Sequence, residues 1–450
     1  MGLLFQPYGR LPGKKVVANH FAPRFTITMH PLPRSLYADT ARPAHPTPPL
    51  DGDRHTSVVI IGAGFTGLST ALHLAEKRVD TVVLEANQPG WGASGRNGGQ
   101  VNPGLKHDPD TVLKDFGTDL GGRMVTLSSE APNLVFRLVE RHQIACDALQ
   151  SGTLRSAITA RGAQEVAALA EQWIRRDAPV SVLDQTAISA ATGTRRYHAA
   201  MLDKRGGQVN PLGYARGLAQ AAAQAGAVIH GDTKVIALRK LGPLWRVETQ
   251  TGTVTAEKLV LATNGYTDDL WPGLRRSLVP LYSAIAATEP LPRELVDRLM
   301  PIRSSLYEIG SITVYYRFSL DNRLLIGGRS VQRDVSAPDA LRYLTNYAVR
   351  LWPELQRFKW THGWSGQLAY TPDHYPHIHE PDPAVLVCLG YNGRGVAMST
   401  AMGPQLADRV LGGEIDMPVT AISKVPFHGL WRSGVAARVA YGRIRDMLGL

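Results

Sequence analysis

Gly62, Gly64, Gly67 and Glu85 have the types and spacing to hold a dinucleotide. They lie in VVIIGAGFTGLSTALHLAEKRVDTVVLEA, residues 58–86. Gly62 permits a sharp turn, Gly64 lets backbone approach a pyrophosphate, and Gly67 lets a helix lie close to the preceding strand. The helix opens at Phe65 and Thr66, where free N–H groups and the helix dipole favour phosphate charge. Glu85 closes the second strand 18 residues after Gly67, just before Ala86. Its carboxylate there accepts ribose hydroxyls and repels a ribose 2′-phosphate. Val58–Ile61 is a continuous β-branched run, the pattern of a parallel strand covered on both faces. The unit alone leaves open whether the nucleotide carries nicotinamide or flavin.

Two further glycine segments answer to it. GWGASGRNGGQV, residues 90–101, offers backbone N–H groups as a wall for a second phosphate and a ribityl chain. VLVCLGYNGRGVAMSTAMGPQLADRVLG, residues 385–412, reads as a buried strand, a glycine turn and a helix beginning near Val396. The positive end of that helix, behind Asn392, Gly393, Arg394 and Gly395, faces whatever lies over the turn and favours negative charge there.

On these segments the chain resembles the FAD-dependent D-amino-acid oxidase superfamily, and within it the gamma-glutamylputrescine oxidase branch. The resemblance is carried by the acid-ended second strand and the G-W-G-A-S-G-R-N-G-G-Q loop, and runs from about Ser57 to the C-terminus. It implies that Gly92, Ala93, Ser94, Arg96, Asn97, Gly98, Gly99 and Gln100 hold FAD. It also implies that backbone near Val235 meets the adenine, and that Thr263, Asn264 and Gly265 end a strand at the cofactor. Tyr316, in VYYRFS, matches a position where the family presents an aromatic to substrate, and Trp364 matches a segment beside the isoalloxazine. Covalently flavinylated members carry a cysteine before the T-P-D turn; Gly366–Thr371 has none, so the FAD is expected to be non-covalent. A lysine credited with assisting oxygen activation falls on Leu325, which opens a quinone or another acceptor as alternatives to O2. The carboxylate-gripping arginine of the sarcosine-type members has no counterpart, because the loop reads Asn97, Gly98, Gly99.

The expected fold is α/β: a Rossmann-like FAD-binding domain interleaved with an α+β substrate domain on an antiparallel sheet. The FAD-binding domain takes residues 57–105, 205–266 and 360–425. Residues 106–204 and 267–359 supply mainly the substrate domain and helical cover, since SITVYYRFS and RLLIGGRS alternate as strands with one open face. Residues 1–56 are proline-rich and basic, with no sustained periodicity, and read as an irregular leader. MHPLPRSLYADTA makes Met29 an alternative start. Residues 426–450 read as a basic amphipathic helix packed on the FAD domain, with weak membrane-surface contact as the alternative.

The chain has 450 residues, 44% of them hydrophobic, enough for two intertwined domains with a substantial core. No apolar run reaches the length of a membrane span. Two cysteines, Cys146 and Cys388, exclude a disulfide framework and fit a cytoplasmic protein. The net charge of +11 is spread over scattered arginines without a long basic run, which argues against nucleic acid. His374, His377 and His379 lack a helical pair and a nearby cysteine, so no metal is expected.

The resemblance implies an oxidoreductase acting on the C–N bond of an amine or amino acid. Hydride passes to flavin N5 and the imine is hydrolysed, with gamma-glutamylputrescine or a similar ω-amino compound as leading substrate. A D-amino-acid dehydrogenase using a quinone is the alternative enzyme. A flavin-binding partner or sensor without turnover is the alternative of another class.

Overall fold

A computed structural model describes residues 31–310, 313–330 and 335–448. The alternative start at Met29 and most of the leader's basic first half lie outside the described residues.

The strand Arg54–Ile61 sits at the centre of a mixed sheet. It pairs in parallel with Thr81–Leu84 on one side and Thr253–Leu261 on the other. Val385–Leu389 and Val228–His230 extend the parallel order outward. A hairpin, Val235–Leu241 and Leu244–Thr249, hangs on the Thr253–Leu261 strand. The β-branched run of the first strand is buried on both faces. Val58 and Ile60 join the core under the helices, while Val59 and Ile61 join the core under the hairpin. The helices Phe65–Glu76 and Gly395–Val410 pack side by side, and Ser69 Oγ donates to the Thr400 carbonyl oxygen at 2.8 Å. A Cβ on Gly403 would lie 2.0 Å from that Ser69 oxygen, so glycine there sets the helix separation.

The second sheet runs Trp360–Tyr370, Val279–Thr288, Leu324–Ser330, Val314–Phe318, Ser305–Ile309, Thr153–Ala157, Ala199–Asp203, Val180–Leu183. All its pairings are antiparallel except Ser305–Ile309 with Thr153–Ala157. Its outer face carries a separate core around Trp352, Tyr316 and the helix Arg342–Leu351.

Three boundaries differ from the expected ones. Trp360–Tyr370 pairs along the length of Val279–Thr288, so it belongs to the antiparallel sheet rather than the FAD domain. The leader is built into the fold before residue 56: Ser35 caps the short helix Leu36–Asp39, and Leu36, Tyr37 and Leu50 are buried. Its periodicity is too short to read because it consists of isolated anchors rather than a repeating face. The C-terminal helix Trp431–Leu448 lies against the strand Val279–Thr288 rather than on the FAD domain. His428 Nε2 sits 2.9 Å from the Leu278 carbonyl oxygen, which fixes the approach to that helix. No helix among the described residues is long and apolar enough to cross a membrane.

Candidate active site

A cavity of about 550 Å³ opens between the two sheets, within the range of small-molecule and cofactor sites. Its walls are the two glycine turns, the loop 90–101, and one face of the antiparallel sheet.

The first turn is shaped by contacts that admit only hydrogen. Gly62 has φ +106° and donates its N–H to the Leu84 carbonyl oxygen at 2.9 Å. A Cβ on Gly67 would come 2.0 Å from the Gly62 carbonyl oxygen, so the helix packs on the turn through bare backbone. Gly64 is different, since a Cβ there would meet only the Ser94 hydroxyl, at 2.9 Å. That hydroxyl accepts from the Phe65 N–H at 3.0 Å, and Gly64, Phe65, Thr66 and Ser94 all line the cavity. The remaining N–H groups of this first helical turn have no intrahelical acceptor and suit a phosphate.

Glu85 stands at the end of its strand, half-buried, accepting from Ala63 N–H at 2.7 Å and Asn87 N–H at 3.0 Å. Burial pushes its carboxyl above the usual range, against the pull of those N–H groups. Neither Glu85 nor Ala86 lines the main cavity. Val235 is buried at the start of the hairpin that flanks the same strand ends.

The loop 90–101 is clamped from both sides. Arg96 stacks over Trp91 at 4.8 Å and Tyr266 at 5.5 Å, and donates to the Tyr266 hydroxyl. Asn97 folds the loop on itself, donating to the Ser94 carbonyl oxygen at 2.9 Å and accepting from Gly99 N–H at 2.8 Å. Arg317 reaches the Gly98 carbonyl oxygen at 2.7 Å, and Gln100 donates to the Leu306 carbonyl oxygen at 2.8 Å. Ala93, Ser94, Arg96, Asn97, Gly98 and Gln100 line the cavity, whereas Gly92 and Gly99 sit behind it against Tyr266 and Val209.

The turns are joined to each other. Tyr391 and Thr66 hydroxyls lie 2.5 Å apart, and Asn264 Oδ1 accepts from Gly390 N–H at 2.9 Å. Asn392, at φ +53°, accepts from Thr371 N–H at 3.0 Å. Asn264, Asn392, Gly393, Arg394, Gly395 and Val396 line the cavity; Thr263 and Gly265 support the Asn264 turn from outside it. Both cysteines are buried away from the lining, and burial pushes each thiol up to about 12.

Tyr316 and Trp364 are placed elsewhere than the resemblance implied. Tyr316 is 0% exposed, on the outer face of its strand, 3.0 Å from the Tyr197 hydroxyl and edge-on to Trp352. Its neighbour Tyr315 faces the cavity, because successive strand residues point to opposite faces. The register makes this explicit: Tyr316 opposes the core residue Leu306, and Tyr315 opposes the cavity residue Tyr307. Gly98 and Gly327 flank the Tyr315 ring, and a Cβ on either would lie within 2.6 Å of it. Its hydroxyl is 2.8 Å from Ser283 Oγ. Trp364, 1% exposed, donates its indole N–H to the Arg96 carbonyl oxygen at 3.0 Å, supporting the loop instead of meeting substrate. Leu325 is buried beside Trp364 and does not line the cavity.

Sequence reasoning named Arg394 only as part of the cofactor turn and missed the cations Lys106, Arg155 and Arg329 beside it. Lys106, Arg155, Arg329 and Arg394 all line the cavity, and Arg394 donates to the Tyr307 hydroxyl at 2.9 Å. Arg155 on Thr153–Ala157 stands in register with Tyr307, on the same face. The signal was present in TLRSA, a strand of small and apolar residues interrupted by one arginine. The three histidines hold no ion cluster: His377 meets Asp373 at 3.0 Å, His379 Nδ1 lies 2.7 Å from the Thr420 carbonyl oxygen, and no metal-binding group exists among the described residues.

A parallel nucleotide-type sheet joined to an antiparallel sheet across one glycine-walled cavity defines a flavoprotein oxidoreductase. Residues 57–409 match the family model described as FAD dependent oxidoreductase, and the chain belongs to that family. It is similar to the gamma-glutamylputrescine oxidoreductase of Escherichia coli K12, 32% identical over 425 residues, covering 92% of this chain and 99% of the relative. The probable oxidoreductase OrdL of Haemophilus influenzae is 31% identical over 399 residues, covering 87% and 91%. Among solved structures, glycine oxidase from Geobacillus kaustophilus shares the fold with a TM-score of 0.68, 24% identity, and coverage of 83% and 99%. The protein is an FAD-dependent oxidoreductase.

Proposed function

We propose that the chain oxidises the C–N bond of an amine or amino acid at non-covalent FAD seated across the two glycine turns. The observation that carries this reading is the Thr66–Tyr391 contact, which locks both turns to one side of a single cavity facing Tyr307 and Tyr315. In this reading Gly64, Phe65, Thr66 and Ser94 hold the pyrophosphate, and Glu85 turns its carboxylate to the adenosine ribose. The loop from Ala93 to Gln100 lies along the ribityl chain, and the helix opening behind Arg394 places its dipole at the flavin's pyrimidine edge. Bound FAD supplies the hydride acceptor at N5.

The chain's own part is to orient the substrate and keep water out. The substrate nitrogen gives up a proton as the neighbouring C–H bond is broken, its hydride going to the flavin, and a C=N bond forms; water then releases an aldehyde, or a keto acid from an amino acid, and ammonia. Tyr315, wedged between Gly98 and Gly327 and tied to Ser283, forms a fixed wall for the carbon chain, with Leu281 and Leu368 as apolar neighbours. The leading substrate is gamma-glutamylputrescine or a similar ω-amino compound, supported by the 32% identical relative. With Leu325 at the position aligned to the family lysine, a quinone stands beside O2 as acceptor. Purified enzyme is expected to form aldehyde from gamma-glutamylputrescine with at least one of O2 or a soluble quinone. Absence of aldehyde with both acceptors would contradict this substrate.

A further inference from the structure

Two side chains hold the loop 90–101 from behind, and both lead to the N-terminal leader. The Arg96 carbonyl oxygen accepts from the Trp364 indole N–H at 3.0 Å, and the Gly98 carbonyl oxygen accepts from Arg317 Nε at 2.7 Å. Tyr37 touches both of these donors. Its hydroxyl accepts from Arg317 Nη2 at 3.1 Å, and its ring meets Trp364 edge-on with centroids 5.1 Å apart. Arg317 is 4% exposed, and its other acceptors among the described residues are the Val209 carbonyl oxygen at 3.2 Å and Gln208 Oε1 at 3.5 Å. A buried guanidinium needs its N–H groups answered, so losing the phenol oxygen loosens the group that pins Gly98. The same segment reaches the strand ends at Glu85. The Thr47 carbonyl oxygen accepts from Gly231 N–H at 3.1 Å, and Leu50 N–H donates to Thr233 Oγ1 at 2.9 Å. His230 Nδ1 lies 2.9 Å from the Pro48 carbonyl oxygen. His230 and Thr233 bracket Glu85, whose N–H donates to the His230 carbonyl oxygen at 2.9 Å and whose carbonyl oxygen accepts from Thr233 N–H at 2.8 Å.

We infer that residues 35–50 form a brace along the outside of the cofactor site, in which Tyr37 is a positioning residue that sets the loop 90–101 through Arg317 and Trp364. This rests on the reading of that loop as a wall for FAD. Tyr37 is 2% exposed and does not line the cavity, so it acts on the site through these two donors. Its ring fixes Trp364 and hence Arg96; its hydroxyl fixes Arg317 and hence Gly98. A site is held in a productive shape when the side chains behind it are themselves locked by packing and hydrogen bonds. The short helix Leu36–Asp39 supplies that lock. Ser35 Oγ accepts from Ala38 N–H at 3.1 Å to cap it, and His362 Nε2 lies 3.2 Å from Asp39 Oδ2 at its far end.

The brace is tested by titrating FAD into deflavinated full-length protein and by recording the visible circular dichroism of the bound flavin, which responds to the wall against it. Tyr37→Ala is expected to weaken FAD about tenfold or more and to change the dichroism. Tyr37→Phe keeps the ring on Trp364 and loses only the Arg317 bond, so it should recover most of the affinity. Leu36→Ala removes a similarly buried side chain from the same short helix but takes no acceptor from either donor. It should lower the thermal midpoint comparably while FAD affinity and dichroism stay as in wild type. Unchanged FAD affinity in Tyr37→Ala would overturn the brace. An equal loss of affinity in Leu36→Ala would also overturn it, because the effect would then be a general loosening of the fold. Asn97→Ala, which undoes the loop's own bonds, separates the two claims. Weakened FAD in Asn97→Ala with wild-type binding in Tyr37→Ala removes the brace and leaves the loop reading standing. Unchanged FAD in both variants removes the loop reading as well.

Discussion

The two sheets meet the cavity with different parts of the chain. The parallel sheet and its turns present backbone: Gly64, Gly393, Gly395 and the first N–H groups of two helices. The antiparallel sheet presents side chains: Arg155, Tyr307, Tyr315 and Arg329. In the proposed reading, one side is matched to a ligand common to many proteins and the other to a particular substrate. A backbone site tolerates few residue types, since a Cβ in the wrong place closes it. A side-chain site depends on which face each strand residue takes, and a shift of one position changes the chemistry completely.

The largest effects should separate fold from cofactor within one turn. Gly67→Val drives carbon into the Gly62 carbonyl oxygen, since a Cβ there would lie 2.0 Å from that backbone atom. It should lose the fold, by more than about 3 kcal/mol, as judged by thermal unfolding and insoluble expression. Gly64→Val meets only the movable Ser94 hydroxyl. It should stay folded but largely free of FAD, with affinity in a fluorescence titration down by a factor of about 100 or more. Equal damage from both would mean the backbone side does not divide in this way.

Glu85→Gln keeps its shape and one acceptor oxygen for Ala63 N–H or Asn87 N–H. It should weaken FAD by about 1–3 kcal/mol in the same titration.

On the other sheet, the adjacent tyrosines give a sharper contrast. Tyr316→Phe removes the 3.0 Å contact with Tyr197 in the outer core and should cost about 1 kcal/mol of stability, with KM unchanged. Tyr315→Leu empties the slot between Gly98 and Gly327 and should raise KM several-fold (about 1 kcal/mol of binding). If Tyr316→Phe shifts KM and Tyr315→Leu does not, the strand faces are reversed.

The smallest effect is a pH dependence. Burial, then the charges of Arg394, Arg329 and Arg155, hold the Lys106 ammonium down to about 8, although the residue as a whole is exposed. His374 faces the same group, and its own imidazole is lowered by burial and by Lys106. Lys106 is therefore charged below about pH 8 and neutral above it. A lysine held below its ordinary 10.5 penalises the folded state while charged, and that penalty is relieved as pH rises from about 8 towards 10.5. The positive charge that Lys106 lends the cavity is lost over the same rise. The ratio of kcat/KM for 5-aminovalerate to that for its methyl ester should fall a few-fold as pH passes about 8, and Lys106→Met should flatten the change.

The difference between the sheets also governs what the sequence makes legible. The central strand, the glycine turns and the acid at Glu85 each carry a residue type that geometry demands, so their places in the fold could be read from letters and spacing. The loop from Gly90 needed its resemblance to the family, because small residues alone fit many loops. On the antiparallel sheet, VYYRFS offers two tyrosines whose exchange leaves the alternation plausible. Only the pairing of Tyr315 with Tyr307 settles which one meets the cavity. Lys106, Arg155 and Arg394 come from three distant segments, and no local pattern joins them. Trp360–Tyr370 looked like an approach to the final cofactor turn because it precedes that turn in the chain, whereas hydrogen bonding to Val279–Thr288 decides its sheet.

The central claim, that this cavity passes hydride from an amine to bound FAD, is tested most directly by mixing holoenzyme with excess gamma-glutamylputrescine or 5-aminovalerate without oxygen or another acceptor. The visible absorbance of the flavin should bleach within the time of one turnover, with one equivalent of aldehyde formed per FAD after hydrolysis. A flavin that remains oxidised with both compounds and with a wider panel of amines and amino acids, in protein fully loaded with FAD, would contradict the account.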